Sequence, residues 1–130
     1  MTGIKRITKS NKIYALIIPA GLKKEGTNFF SGQDSAFQLG QLNYQRGHQI
    51  APHCHRIFKR AIKGTQELFY LAEGKVRANI FNEKGKKIKS VVLAKGYTFL
   101  LLAGGNGLDF LEKSKILMIK QGPYLGKKED

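Results

Sequence analysis

The chain has a single cysteine, no tryptophan, three prolines and only nine acidic residues in 130. One cysteine excludes a disulfide-stapled fold and any zinc site built on paired cysteines. With no intrachain disulfide, a reducing cytoplasm is the default compartment. No run approaches the roughly 18 apolar residues needed to span a bilayer. The longest are Tyr14 to Ile18 and Phe99 to Ala103. The apolar stretch Ile13 to Ala20 behind the basic N-terminus is short and holds Pro19, so it does not read as a secretion signal. A cytoplasmic protein with no membrane partner is the expectation. At this length a single domain over 1–130 is expected, large enough for one core.

The shortage of acid leaves 23 basic side chains against 9, a net charge of +14. The excess is spread along the chain, densest at Arg56 to Lys63 and Lys84 to Lys89. Such a surface attracts polyanions. No aromatic pattern of an RNA-reading sheet accompanies the lysines, so specific nucleic-acid binding is not expected. An anionic small molecule fits better, and a merely solvated basic surface is the plainer reading.

Alternating and continuous apolar runs dominate, separated by Gly and Asn, which is the pattern of strands and turns. Strands are expected at Lys12 to Pro19, Ala36 to Gln45, Glu67 to Ala72, Lys75 to Phe81, Lys87 to Ala94, Phe99 to Ala103 and Lys115 to Lys120. In Lys75 to Phe81, Val76, Ala78 and Ile80 face one way and Lys75, Arg77 and Asn79 the other. Gly85 between two such runs signals a hairpin. Phe99 to Ala103 is apolar on both faces and should be central. Residues 1–11 and 126–130 read as loose or edge-like. The best helical stretch, Ile57 to Ile62, is short. The seven strands, with edge-like termini bringing the number to about eight or nine, imply an all-β barrel or jelly roll.

All three histidines lie between Gly47 and Arg56: His48, His53 and His55. On a strand, His53 and His55 would share a face, with Cys54 opposite as a buried apolar filler. Two neutral imidazoles on one face can hold a divalent transition metal. Glu67, which opens a strongly apolar strand, is a suitable carboxylate third. Such a set suits Fe, Mn, Ni or Zn. The plainer alternative is two hydrogen-bonded histidines on a sheet. His48 is a spare candidate. Arg56 suits phosphate or carboxylate recognition. Tyr70 and Phe99 read as core or pocket wall, and Gln38 and Asn43 as further lining of a polar pocket. Gln66, beside Glu67, reads as structural. The glycines at 104, 105 and 107 read as a tight turn rather than a phosphate loop, because no helix pattern follows them.

Gly47, then His53-Cys54-His55, then Glu67 and Gly74, resembles the first cupin motif, with a longer loop, Arg56 to Gln66, than cupins usually carry. Gly96 to Gly107 is similar to the second motif, with Leu102 in place of its proline and Asn106 nearest its metal-binding histidine. Asn28-Phe29-Phe30, Pro52 to Arg56, Thr65-Gln66-Glu67 and Lys120 to Tyr124 also resemble small single-domain cupins of polysaccharide and sugar-nucleotide loci. That likeness covers about residues 13–125. It implies a cupin-type double-stranded β-helix, that is, a jelly-roll barrel, and a homodimer. The implied metal set is His53, His55 and Glu67, with Asn106 as a weak amide fourth. The implied ligand is a sugar or nucleotide sugar, for which Arg56, Tyr70 and Phe99, by their own chemistry, are the candidate contacts. His53 or His55 would act as acid or base in an isomerisation or epimerisation. Three rivals stay open: a metal-free ligand pocket, a metal-dependent dioxygenase or isomerase, and a non-catalytic sensor or basic nucleic-acid-associated binder.

Overall fold

The computed structural model describes residues 3–126. Among these the protein is all-β, with ten strands and no helix. They are β1 (Lys5–Lys9), β2 (Lys12–Ile18), β3 (Gly26–Phe29), β4 (Gly40–Asn43), β5 (Glu67–Glu73), β6 (Lys75–Phe81), β7 (Lys87–Ala94), β8 (Thr98–Leu101), β9 (Gly105–Phe110) and β10 (Lys115–Lys120). No helix is long and apolar enough to cross a membrane among the described residues. The chain divides into two compact units. The first runs up to Leu22 and resumes at Thr65, and the second is Lys23–Gly64.

The first unit consists of two antiparallel sheets, ordered β1-β2-β8-β5-β10 and β7-β6-β9. Their inner faces share one core. The larger sheet contributes Ile7, Ala15, Ile17, Phe69, Leu71, Phe99 and Leu101, and the smaller Val76, Ala78, Ile80, Val91 and Leu93. This follows from period-two patterning: alternate side chains of a strand share a face, and each sheet must bury its apolar one. The sheets do not close into a barrel, and each keeps two edge strands. The expected closed barrel is therefore replaced by two open layers.

The long alternating elements stand where the pattern puts them. β6, β7 and β10 keep the expected bounds, and Gly85 sits in the hairpin between the first two. Asn82 shapes that turn, its side-chain oxygen accepting from the backbone N–H groups of Lys84 and Lys86 at 3.0 Å. β8 is central, with Leu100 buried on one face and Phe99 and Leu101 on the other. The basic N-terminus supplies an edge strand, β1. The expectation for the C-terminus lies outside the described residues beyond Gly126.

Three expectations are corrected. Ile57 to Ile62 is not helical, and residues 44–66 hold no strand or helix. β3 was not anticipated. The glycine-rich 104–107 stretch turns only at its start, and Gly105 onward is strand β9, paired along its length with β6. The turn itself needs glycine. Gly104 has φ +68°, and a Cβ there would collide with the carbonyl oxygen of Phe81.

Two polar clusters tie the first unit together at its surface. Glu83, in the β6–β7 hairpin, accepts from Tyr14 Oη at 3.0 Å and from Lys12 Nζ at 3.1 Å. The Tyr14 bond, then the Lys12 bond, hold its carboxyl below the ordinary carboxylate range, and the same contact raises the Tyr14 phenol. On the small sheet, Ser90 Oγ donates to Asn79 Oδ1 at 2.6 Å, and Asn79 Nδ2 donates to Asp109 Oδ2 at 3.0 Å. Asp109 is held low first by that amide bond, with Arg77 at 3.5 Å adding to it.

The second unit has the hairpin of β3 and β4, and much of it is held by side chains bonding to nearby backbone. Gln38 Nε2 donates to the carbonyls of Gly32 and Ser35, both at 2.9 Å. Asn28 Nδ2 donates to Glu25 O at 2.9 Å, and Ser31 Oγ accepts from Leu39 N at 2.9 Å. Such local bonds take the place of a long ladder.

Two stability outcomes follow. Phe99→Ala, at a site with no exposure, is expected to cost about 3–5 kcal/mol in urea unfolding, whereas Val92→Thr, half exposed on edge strand β7, stays within about 0.5 kcal/mol. The Glu83 contribution is set by a carboxyl lower in the folded than in the unfolded chain. It is therefore fully present above the ordinary carboxylate range and lost as pH falls through the folded value. Native protein should exceed Glu83→Gln in stability at pH 7 and match it at the acid end. A gap that does not change with pH would count against this assignment.

Candidate functional site

His53 and His55 lie in the second unit, on irregular backbone rather than on the expected strand. Alternation on a ladder therefore does not place them. They are nevertheless neighbours, with ring centres 5.2 Å apart at 76°. His53 Nδ1 stands 2.9 Å from the carbonyl oxygen of Ala51. That oxygen can only accept, so Nδ1 carries the proton and Nε2 of the neutral ring keeps its lone pair. A carbonyl-held imidazole of this kind is the usual supporting arrangement behind a metal-ligating histidine. The spacing also fits. A divalent ion lies about 2.0–2.1 Å from a ligating nitrogen, hence roughly 3.2 Å from the ring centre. Two imidazoles sharing it at right-angled to tetrahedral directions then have centres roughly 4.5–5.2 Å apart.

Cys54, expected as a buried filler, is an exposed free thiol. Arg56 is exposed next to His55.

The remaining predicted residues belong to the first unit. Glu67 opens β5 opposite Leu101 and by alternation shares the inner face of Phe69 and Leu71. Asn106 lies on β9 opposite Ile80, on the inner face of the small sheet. Both flank the 102–104 crossover between β8 and β9, so the fold brings these two to one end of the first unit. Phe99 is wholly buried and stacks on Phe69, with centres 5.8 Å apart. Tyr70 is 41% exposed and pairs with Thr98, one register step from Phe99 and on the opposite face. The two rings thus do not line one wall. Gln66 is structural as expected: its backbone N–H donates to Gln121 Oε1 at 2.9 Å and its amide to Leu102 O at 3.4 Å. Within either unit, among the described residues, no group of three or more His, Cys, Asp or Glu is gathered as a metal cage.

The sequence reading missed a cleft in the second unit. It has a volume of about 440 Å³ and is lined by Glu25, Gly26, Asn43, Tyr44, Gln45 and His48. Tyr44 and His48 stack nearly parallel, with centres 3.8 Å apart and planes 8° off. The Tyr44 hydroxyl is fixed by Thr27 Oγ1 at 2.6 Å. His48, expected only as a spare ligand, is thus a wall of this cleft. The signal for it was slight: a Tyr and a His four apart, across the turn in which His48 N–H donates to Gln45 O at 3.2 Å. Of the two polar candidates for pocket lining, Asn43 reaches the cleft, while Gln38 is engaged by backbone carbonyls.

No protein-family model, curated protein or solved structure matches this chain.

The tautomer is directly testable. Long-range ¹⁵N–¹H correlation spectra of the neutral protein should show the Nδ1–H form at His53. An Nε2–H form would be incompatible with the Ala51 contact and would leave Nε2 without a lone pair for a metal.

Proposed function

We propose that this chain is a cupin-like small-molecule protein that takes a sugar or nucleotide-sugar-like ligand, with a divalent metal on the His53–His55 pair. The observation that carries this reading is the pair itself: two imidazoles at a spacing that suits one shared ion, with His53 Nδ1 turned onto the Ala51 carbonyl. The two-layer antiparallel architecture is compatible with a jelly roll, whose two sheets enclose one core. The cupin assignment itself rests on the motif resemblance. The carboxylate and amide that the resemblance adds, Glu67 and Asn106, belong to the first unit, and the proposal rests on the histidine pair without them.

When bound, the ion would polarise a ligand oxygen and orient the ligand. The chain's own contribution is positioning and proton handling. His53, with its Nδ1 proton engaged, can offer Nε2 alone. Arg56, next in chain to His55, can receive a phosphate or carboxylate in a two-pronged contact. The net charge of +14 draws such a ligand from solution. The reaction class on this reading is isomerisation or epimerisation; an imidazole acting as acid or base belongs to its metal-free form, because a metal-ligating His53 has no nitrogen left for proton transfer. A homodimer belongs to the same proposal. Edge strand β10 offers Leu117 and Ile119, both more than half exposed, as an apolar seam of the kind that edge strands leave to be covered.

Elemental analysis of protein purified without chelators, then reconstituted in turn with Fe, Mn, Ni and Zn, tests the metal. Near one equivalent is expected in the native chain, and less than about a tenth in the His53→Ala, His55→Ala form, since each lost ligand costs at least tenfold in affinity. Full metal content in the double variant, or none in the native chain after reconstitution, would overturn the proposal. Calorimetry with a nucleoside-diphosphate sugar such as UDP-glucose tests the ligand, with Arg56→Ala expected to weaken it by about tenfold or more.

A further inference from the structure

We propose that residues 56–63 dock this protein onto an anionic lipid surface, folding there into a short cationic amphipathic helix. The segment reads Arg56-Ile57-Phe58-Lys59-Arg60-Ala61-Ile62-Lys63. Every residue in it is either cationic or apolar. The cations stand at i, i+3, i+4 and i+7, and the apolar residues Ile57, Phe58, Ala61 and Ile62 fill the positions between. On a helix that spacing gathers all four charges on one side and all four apolar groups on the other.

The segment nevertheless has no regular structure. Two turns are too few to hold as a helix in water without a partner surface. The consequence is visible in its side chains: Ile57 is fully exposed, Phe58 59% and Ile62 49% exposed. The Arg60 guanidinium lies 3.9 Å from the Phe58 ring centre and covers part of it. A stop for the helix is already in place. Gly64, directly after Lys63, has φ +75°, the left-handed conformation that terminates helices. Lys59, Arg60 and Lys63 would then sit toward the negative end of the helix dipole.

Charge narrows the partner to an anionic one. No Asp or Glu occurs anywhere in residues 35–66, which hold Arg46 besides the four cations of the segment. The apolar half selects lipid over nucleic acid. A phosphate backbone would engage the cations and leave Ile57, Phe58 and Ile62 in water, whereas a headgroup boundary takes both halves at once. Long basic side chains can reach the headgroups while their stems lie along the acyl boundary. The apolar residues are also bunched within little more than one turn, which suits shallow insertion better than a protein groove with anchors spread at i, i+4 and i+7. The earlier expectation of no membrane partner rested on the lack of a spanning segment, and surface docking requires none.

Sedimentation with vesicles tests this on the full chain. Phosphatidylcholine vesicles carrying phosphatidylserine should bind the protein, and pure phosphatidylcholine vesicles should not. Hydrogen–deuterium exchange should show new amide protection in 57–64 on the anionic vesicles. Two loop variants separate the halves of the mechanism. Lys59→Gln with Arg60→Gln and Lys63→Gln should weaken partitioning roughly a hundredfold, at about fivefold per cation. Ile57→Ser with Phe58→Ser and Ile62→Ser, charge unchanged, should weaken it by at least roughly tenfold. Both variants alter exposed residues outside every strand, and unchanged thermal unfolding would confirm that the fold is kept. Binding that survives the apolar variant would mean attraction by net charge alone and would overturn the proposal. So would binding without protection of 57–64, or transfer of the protein from the vesicles to single-stranded RNA at equal phosphate.

Discussion

Strand β8 meets water on neither face, and the first unit is arranged around that fact. Phe99 and Leu101 enter the shared core, while Leu100 is buried on the other side of the same strand. A strand of four residues that buries three so completely can only be central, because an edge would leave its backbone groups and one of its faces exposed. β2 and β5 therefore flank it. Their registers set Leu16 and Leu68 beside Leu100 on one face, and Ile17 and Phe69 beside Phe99 on the other. From β8 the chain must then leave the large sheet for the small one. It does so at Gly104, where only a residue without a Cβ escapes the Phe81 carbonyl. That crossover sets Glu67 and Asn106 at one end of the layers.

The same constraint explains how much of the fold was legible in the sequence. β6 shows clean alternation because one of its faces is core and the other carries Lys75, Arg77 and Asn79, so its bounds could be read directly. β8 shows none, yet its unbroken apolar run revealed its central place. β9 was hidden. Gly105-Asn106-Gly107 has turn chemistry, and it becomes a strand because the β6 backbone beside it supplies a ladder; tertiary pairing overrides weak local preference. β3, Gly26 to Phe29, was hidden for the same reason. The error over His53 and His55 runs the other way. Their spacing suits a strand, but no neighbouring strand pairs with that segment, and Pro52 beside it has no N–H to offer a ladder.

The candidate site was legible by residue type and not by geometry. Two imidazoles two apart announce themselves, whatever backbone carries them. The Ala51 carbonyl that fixes one tautomer has no sequence signature, since any residue could supply it. The cleft beside Tyr44 and His48 is a product of a turn that folds a four-residue separation onto itself. Tyr70 and Phe99 both read as core or pocket wall; the ladder sets them one register step apart, and one step in a sheet is a change of face.

The apolar core and the histidines are divided between the two units. The first buries a shared apolar core under two ladders, and its surface polar groups, such as Glu83 and Asp109, are engaged by neighbours. The second has one short hairpin, held largely by Gln38, Asn28 and Ser31 reaching for nearby backbone, and it carries all three histidines, the cleft and the acid-free cationic stretch. Backbone held by a few local bonds opens at lower free energy than a core ladder. Segments of that kind are where binding groups concentrate, because they can adapt to a ligand or a surface without disturbing the core. The apolar side chains at Ile57, Phe58 and Ile62 stay largely in water because so short a segment can cover them only in part, as Arg60 does at Phe58. Their cost to the folded chain is the driving force available to whatever surface receives them.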